Sequence, residues 1–73
     1  MTDAPSQHVI LLNGAERSVP VGCTVAMLLE SLGLRRDGVA VAIDMHVVPR
    51  STHAERVIEE GARVEVVQAV GGG

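Results

Sequence analysis

The sequence contains no phenylalanine, tyrosine or tryptophan. Its core must be built from Val, Leu, Ile, Ala and Met, and the rings on which single-stranded nucleic acid stacks are missing. Basic side chains are scarce as well. Six Lys and Arg stand against nine Asp and Glu, for a net charge of −3 with no basic run. That balance excludes a surface made for the phosphate backbone or for an anionic membrane. A single cysteine, Cys23, excludes an intramolecular disulfide framework and fits a reducing cytoplasm. No apolar stretch is long enough to span a bilayer, and the first residues lack the basic region of a signal peptide. The expectation is an acidic, soluble, cytoplasmic chain of 73 residues, forming one small domain near the size at which a single core only just suffices.

Glycine, by contrast, is concentrated where the sequence closes. The apolar run over 64–70 leads without a polar linker into Gly71-Gly72-Gly73. Residues without a Cβ can pass through a channel too narrow for any side chain. Fully extended, three of them span about 10 Å, enough to carry a terminal carboxylate into another protein's active site. An α-carboxyl titrates at about 3.3–3.7, so at neutral pH it is an anion and a poor electrophile. Acyl chemistry on Gly73 requires prior activation, for instance as a mixed anhydride with AMP. The chemistry would then lie on Gly73 and the catalysis on a separate enzyme, so no residue of this chain is expected to be catalytic.

The rest of the chain reads as a compact frame for that end. Residues 1–7 are polar and aperiodic, a flexible lead-in. A strand over 8–12 meets Asn13-Gly14, the strongest short hairpin signal, because both central residues of a type I′ turn need positive φ. The return strand over 16–21 alternates at Val19 and Val21, and Pro20 marks it as an edge because it has no N–H for a ladder. Thr24 suits the N-cap of a helix over 25–32. Val25, Leu28, Leu29 and Leu32 form its apolar stripe. Gly33 and Leu34 fit a Schellman close, and Cys23 packs on Leu28 as a staple. Arg35-Arg36-Asp37-Gly38 is a polar turn. A third strand over 39–43 turns Val39, Val41 and Ile43 toward the helix and Ala40 and Ala42 away from it. A brief strand over 46–48 stops at Pro49. Ser51 can cap a short helical turn through 53–56, with Val57 and Ile58 turned inward, and a last strand begins near Arg63.

Other chemistry finds little support. His8, His46, His53 and Cys23 show no metal-ligand spacing, so no bound metal or cofactor is expected. Asp44, Glu59 and Glu60 are not paired across a pocket. Arg50 either contacts a partner or satisfies a carbonyl near Ser51. Several short strands with one good helix to cover them describe an α+β two-layer domain, a mixed sheet of four or five strands on one main helix.

The strand–strand–helix–strand–strand–short helix–strand order, the step Val48-Pro49-Arg50-Ser51, the run Glu60-Gly61-Ala62-Arg63-Val64-Glu65-Val66-Val67 and the close Ala69-Val70-Gly71-Gly72-Gly73 together resemble the ThiS family. These are the ubiquitin-like, β-grasp sulfur carriers of thiazole formation in thiamine biosynthesis, and the likeness runs from about Val9 to Gly73. Two departures stand out: Ala62 where an Asp is usual, and His53 where an aromatic is frequent. The resemblance implies a β-grasp domain over 8–70 and a flexible tail over 71–73. It implies that a ThiF-like adenylyltransferase uses ATP and Mg to adenylate Gly73, and that a persulfide enzyme supplies sulfur to form a thiocarboxylate. Thiazole synthase then takes that sulfur. Val70, Gly71 and Gly72 would bind inside the partner enzymes. If Val64 and Val66 face the helix, then Glu65, Val67 and Ala69 face out beside Ala40 and Ala42, a docking patch at the root of the tail. The carrier is expected to be a monomer on its own. Two alternatives stay open: a carrier of the molybdopterin synthase small-subunit type, or a ubiquitin-like protein modifier or interaction module.

Overall fold

A computed structural model describes residues 6–35 and 38–68 of the chain. Strand β1 (Gln7–Leu12) and strand β2 (Ala15–Pro20) form the N-terminal hairpin. Its turn has φ of 51° at Asn13 and 85° at Gly14, as a type I′ turn demands. Helix α1 (Val25–Ser31) follows, then β3 (Val39–Ile43), β4 (His46–Val48), a 3-10 turn (Arg50–Thr52) and β5 (Arg63–Gln68). The sheet order is β2-β1-β5-β3-β4, with β5 parallel to β1 and antiparallel to β3. β2 is therefore an edge, and Pro20 sits at its end. The last strand in the sequence occupies the middle of the sheet.

The helix is held at both ends by identifiable bonds. The Thr24 hydroxyl accepts from the Met27 amide at 3.2 Å. Gly33, at φ 73°, donates to the Glu30 carbonyl and Leu34 donates to Leu29, the two bonds of a Schellman close. The first helical amides are engaged by the segment after β4. Val25 donates to the Arg56 carbonyl at 2.9 Å and Ala26 to that of His53 at 3.0 Å. This is why that segment stays irregular: its carbonyls and the Thr24–Val57 bridge hold the helix start instead of forming a ladder. The helix face Val25, Leu28 and Leu29 is buried against Ile10, Val41, Ile43 and Val64 of the sheet, with Ile58 and Cys23 closing the same core. Burying one such side chain fully stabilises by about 1.5–3 kcal/mol.

Several sequence expectations shift. Strand β1 begins at Gln7, one residue inside the expected lead-in, paired with Pro20. Val21 is exposed, because β2 ends at Pro20 and alternation has no meaning past the end of a ladder. Leu32 is the C-cap and only half-buried. The helical turn runs over Arg50–Thr52 rather than through 53–56, and Ser51 lies inside it instead of capping it. Ile58 is fully buried, whereas Val57 faces solvent beside Thr24. His53, expected in the short helical turn and as a departure from an aromatic, is a core residue with 1% of its surface exposed. One ring nitrogen, Nε2, lies 3.1 Å from the Val48 carbonyl oxygen and so carries the hydrogen in that bond. Its other nitrogen, Nδ1, is buried without a partner among the described residues. Ala62 is buried too, and its carbonyl accepts from Leu11, so a small apolar side chain suits its position. The lead-in residues 1–5, the Arg36-Asp37 part of the polar turn and residues 69–73 lie outside the described residues.

Candidate functional site

The residues expected to act lie along β5 and its neighbours. The register sets Ala40 directly opposite Val67 and Ala42 opposite Glu65. Directly opposed residues share a face of the sheet. Val64 and Val66 point to the helix, Val64 buried and Val66 half-buried, so Glu65 and Val67 point away from it. Four of the five expected patch residues thus share the outer face. The fifth, Ala69, lies outside the described residues, as do Val70, Gly71, Gly72 and Gly73.

The patch is wider than the sequence suggests. Val47 of β4 stands opposite Ala42, so Glu65, Ala42 and Val47 form one row across three strands, adjacent to the Val67–Ala40 row. Val67 is 62% exposed and Val47 77%. Small Ala40 and Ala42 between them leave a shallow apolar floor with a valine on each side. A strand of three residues offers too few positions for alternation to be read, which is why Val47 escaped the sequence argument.

At the far end of this face, the start of β5 is fastened to the β3–β4 turn. The Arg63 amide donates to Asp44 Oδ1 at 3.0 Å, and the Asp44 amide donates to the Arg63 carbonyl at 2.8 Å. Asp44 and Met45 both adopt positive φ, 49° and 70°, and Met45 is 82% exposed. On the other flank, the Val9 amide donates to Glu60 Oε1 at 2.9 Å and the Gly61 amide to the Val9 carbonyl at 2.9 Å. Asp44 and Glu60 are thus fasteners of the frame, in keeping with their having no catalytic spacing. The thiol of Cys23 is buried, and burial pushes its pKa above the ordinary thiol value. That is the behaviour of a core residue rather than a nucleophile. Among the described residues no group of three or more His, Cys, Asp or Glu could hold a metal ion, and no helix is long and apolar enough to cross a membrane.

A five-stranded mixed sheet wrapped on one helix, with the last strand at its centre, defines the β-grasp, ubiquitin-like class. A solved structure of the thiamine biosynthesis protein ThiS from Geobacter metallireducens superposes with a TM-score of 0.75 at 25% identity, covering 89% of this chain and 99% of that one. The chain belongs to the ThiS family, whose model matches residues 10–73. It is 36% identical over 64 residues to the sulfur carrier protein ThiS of Escherichia coli, covering 88% of this chain and 97% of that protein. It is also similar to two much longer proteins, the thiazole synthases of Paramagnetospirillum magneticum (36% identical) and Magnetococcus marinus (39%). In each of these the match again takes in 88% of this chain but spans only 20% of the relative's length.

Proposed function

We propose that this chain is a sulfur carrier for thiazole formation in thiamine biosynthesis, and that its reacting group is the carboxylate of Gly73. The observation that carries this reading is the family membership over residues 10–73, a span that includes the glycine end. Similarity to two thiazole synthases favours the thiazole pathway over the molybdopterin one.

In this reading the carrier is not an enzyme but the co-substrate of three. A ThiF-like adenylyltransferase joins the Gly73 carboxylate to AMP from ATP, with Mg and release of pyrophosphate. The terminal sulfur of an enzyme persulfide attacks the acyl carbon and AMP departs. Reduction of the resulting acyl disulfide by a thiol leaves the thiocarboxylate. Thiazole synthase then accepts the tail and takes the sulfur, which is soft and nucleophilic. Five residues follow Gln68, and fully extended they would reach at most about 18 Å beyond the sheet. Val70, Gly71 and Gly72 thread the partner's channel, where only the valine presents a side chain. Ordering each tail residue costs about 1–2 kcal/mol, so docking of the body must supply the difference. The outer face of Glu65, Val67, Ala40 and Ala42, extended by Val47, is together with Ala69 the surface for that docking. Apart from Glu65 it is apolar, and it lies beside Gln68, the end of β5.

The deciding experiment is intact mass spectrometry after incubation with a ThiF-like enzyme, ATP, Mg and a persulfide donor. Exchange of one oxygen for sulfur on the C-terminal residue is the expected result. Adducts on the lysines of other proteins would instead mark a protein modifier, and an unchanged mass an interaction module.

A further inference from the structure

The parallel pairing of β1 with β5 ends in an unusual way. The Leu11 amide donates to the Ala62 carbonyl at 2.9 Å, and the Asn13 amide to the Val64 carbonyl at 2.8 Å. A parallel ladder would next offer the Val66 amide the carbonyl of residue 13, and the Val66 carbonyl the amide of residue 15. The chain has already turned away at Asn13-Gly14, so β1 has no backbone left there. The Asn13 side chain stands in for it. Its Oδ1 accepts from the Val66 amide at 2.9 Å and its Nδ2 donates to the Val66 carbonyl at 3.2 Å. One carboxamide thus reproduces the acceptor and donor of a peptide group and carries the ladder one step past the hairpin.

We infer that Asn13 is a positioning residue that holds the outgoing end of β5 in the sheet, an inference that rests on the sulfur-carrier reading. On the β3 side, β5 is paired as far as Gln68, opposite Val39. On the β1 side, the bonds at Val66 are the last among the described residues, and Asn13 makes both of them. Val66 also shares a groove with Leu12, Leu32, Leu34 and Gln68, so the clamp seats it on the edge of the core. Without the carboxamide, β5 beyond Val64 is held from one side only, and fraying starts nearer the core. A partner must then order the frayed end of β5 again before the Gly73 carboxylate is in place. An interaction of this kind changes how readily the carrier is engaged, not the chemistry once it is engaged.

The test uses the full chain with Asn13→Gly, which tolerates the positive φ of the turn but has no side chain. Asn13→Asp is the second variant; it keeps the acceptor for the Val66 amide but sets a carboxylate against the Val66 carbonyl. Ile58→Val, a core change remote from the tail, controls for lost stability. Amide exchange of Val66 in the isolated carrier is expected to quicken by roughly tenfold or more in Asn13→Gly, and by a smaller factor in Asn13→Asp, which keeps the acceptor. In ATP–pyrophosphate exchange by a ThiF-like enzyme, the KM for the carrier is expected to rise about tenfold while kcat stays within about twofold. Ile58→Val should leave that KM unchanged. Unaltered exchange at Val66 overturns the inference. So does faster exchange with an unchanged KM, or an equal KM rise in Ile58→Val. If the wild-type carrier is not adenylated at all, it is the sulfur-carrier reading that fails, while exchange at Val66 still decides whether Asn13 holds the strand.

Discussion

Ala40 and Val67 face each other across β3 and β5, so the last outward-facing valine before the tail rests beside a side chain of one carbon. The small neighbour leaves Val67 largely uncovered and open to a partner. Val67→Arg is expected to weaken binding to the adenylating enzyme or to thiazole synthase at least tenfold, as central apolar contacts of an interface do. Unfolding stability should change by no more than about 1 kcal/mol, the spread of strand preferences. Titration calorimetry together with thermal melts checks both. Unchanged affinity would remove this face from the docking surface.

Val47, one row away, offers a second measure of the same surface. Val47→Ser, a change at a strongly exposed position, is expected to alter stability by less than about 0.5 kcal/mol while lowering partner affinity severalfold. Because Val47 pairs with Ala42 of β3 and not with β5, its effect reports docking alone. Loss of stability without loss of affinity would show that β4 serves only the frame.

His53 tests how the core tolerates a polar ring. Removing the whole side chain in His53→Ala is expected to cost about 2–4 kcal/mol, as large core truncations do. His53→Phe fills the site with a slightly larger ring and abolishes the partnerless Nδ1, at the loss of the bond to Val48. The two effects are each about 1 kcal/mol and opposite in sign, so this variant should lie within about 1 kcal/mol of wild type. Chemical denaturation resolves the pair. A Phe variant as damaged as the Ala variant would mean that the Val48 bond outweighs packing.

Cys23 gives the pH dependence. Burial raises its pKa in the folded chain above the ordinary 9.0, so between the two values the folded state holds a proton that the unfolded state has released. Its contribution is therefore present in full below about pH 9.0 and declines as pH rises above that value. Denaturation midpoints measured from neutral to strongly alkaline pH are expected to fall less steeply in Cys23→Ala than in wild type, from a lower starting stability. Parallel slopes would place the thiolate on equal terms in both states.

Met45 occupies a left-handed conformation that costs a side-chain-bearing residue about 1–2 kcal/mol. Met45→Gly relieves that strain at the entropic cost glycine brings, for an expected net gain of up to about 1 kcal/mol. In a domain of this size that corresponds to a rise of about 4–8 °C in Tm. A lowered Tm would show that the exposed Met side chain stabilises the turn.

Much of the frame is legible in the residues because its signals are local. Asn13-Gly14 requires positive φ at two successive positions, and only a tight hairpin offers them. Thr24, Gly33 and Leu34 carry their meaning in fixed offsets from an apolar stripe. The alternation of β3 and β5 survives because both strands are flanked on each side, whereas Val21 misleads because β2 has already stopped. The burial of His53 carries no signal of its own: one histidine has no period, and its pocket is assembled from β4, the helix start and the segment between them. The hold of Asn13 on Val66 spans 53 positions and depends on a register that no short pattern encodes. Of the outer face, Ala40, Ala42, Glu65 and Val67 could be read by counting along two strands, but their exact partners required the sheet.

The place of β5 at the middle of the sheet also bears on how the molecule is made. The two hairpins are local, yet nothing joins them until a segment more than fifty positions from β1 has arrived between them. A ribosome therefore releases the joining strand only after both hairpins and the helix. An interrupted nascent polypeptide that stops short of β5 carries two hairpins with no keystone between them.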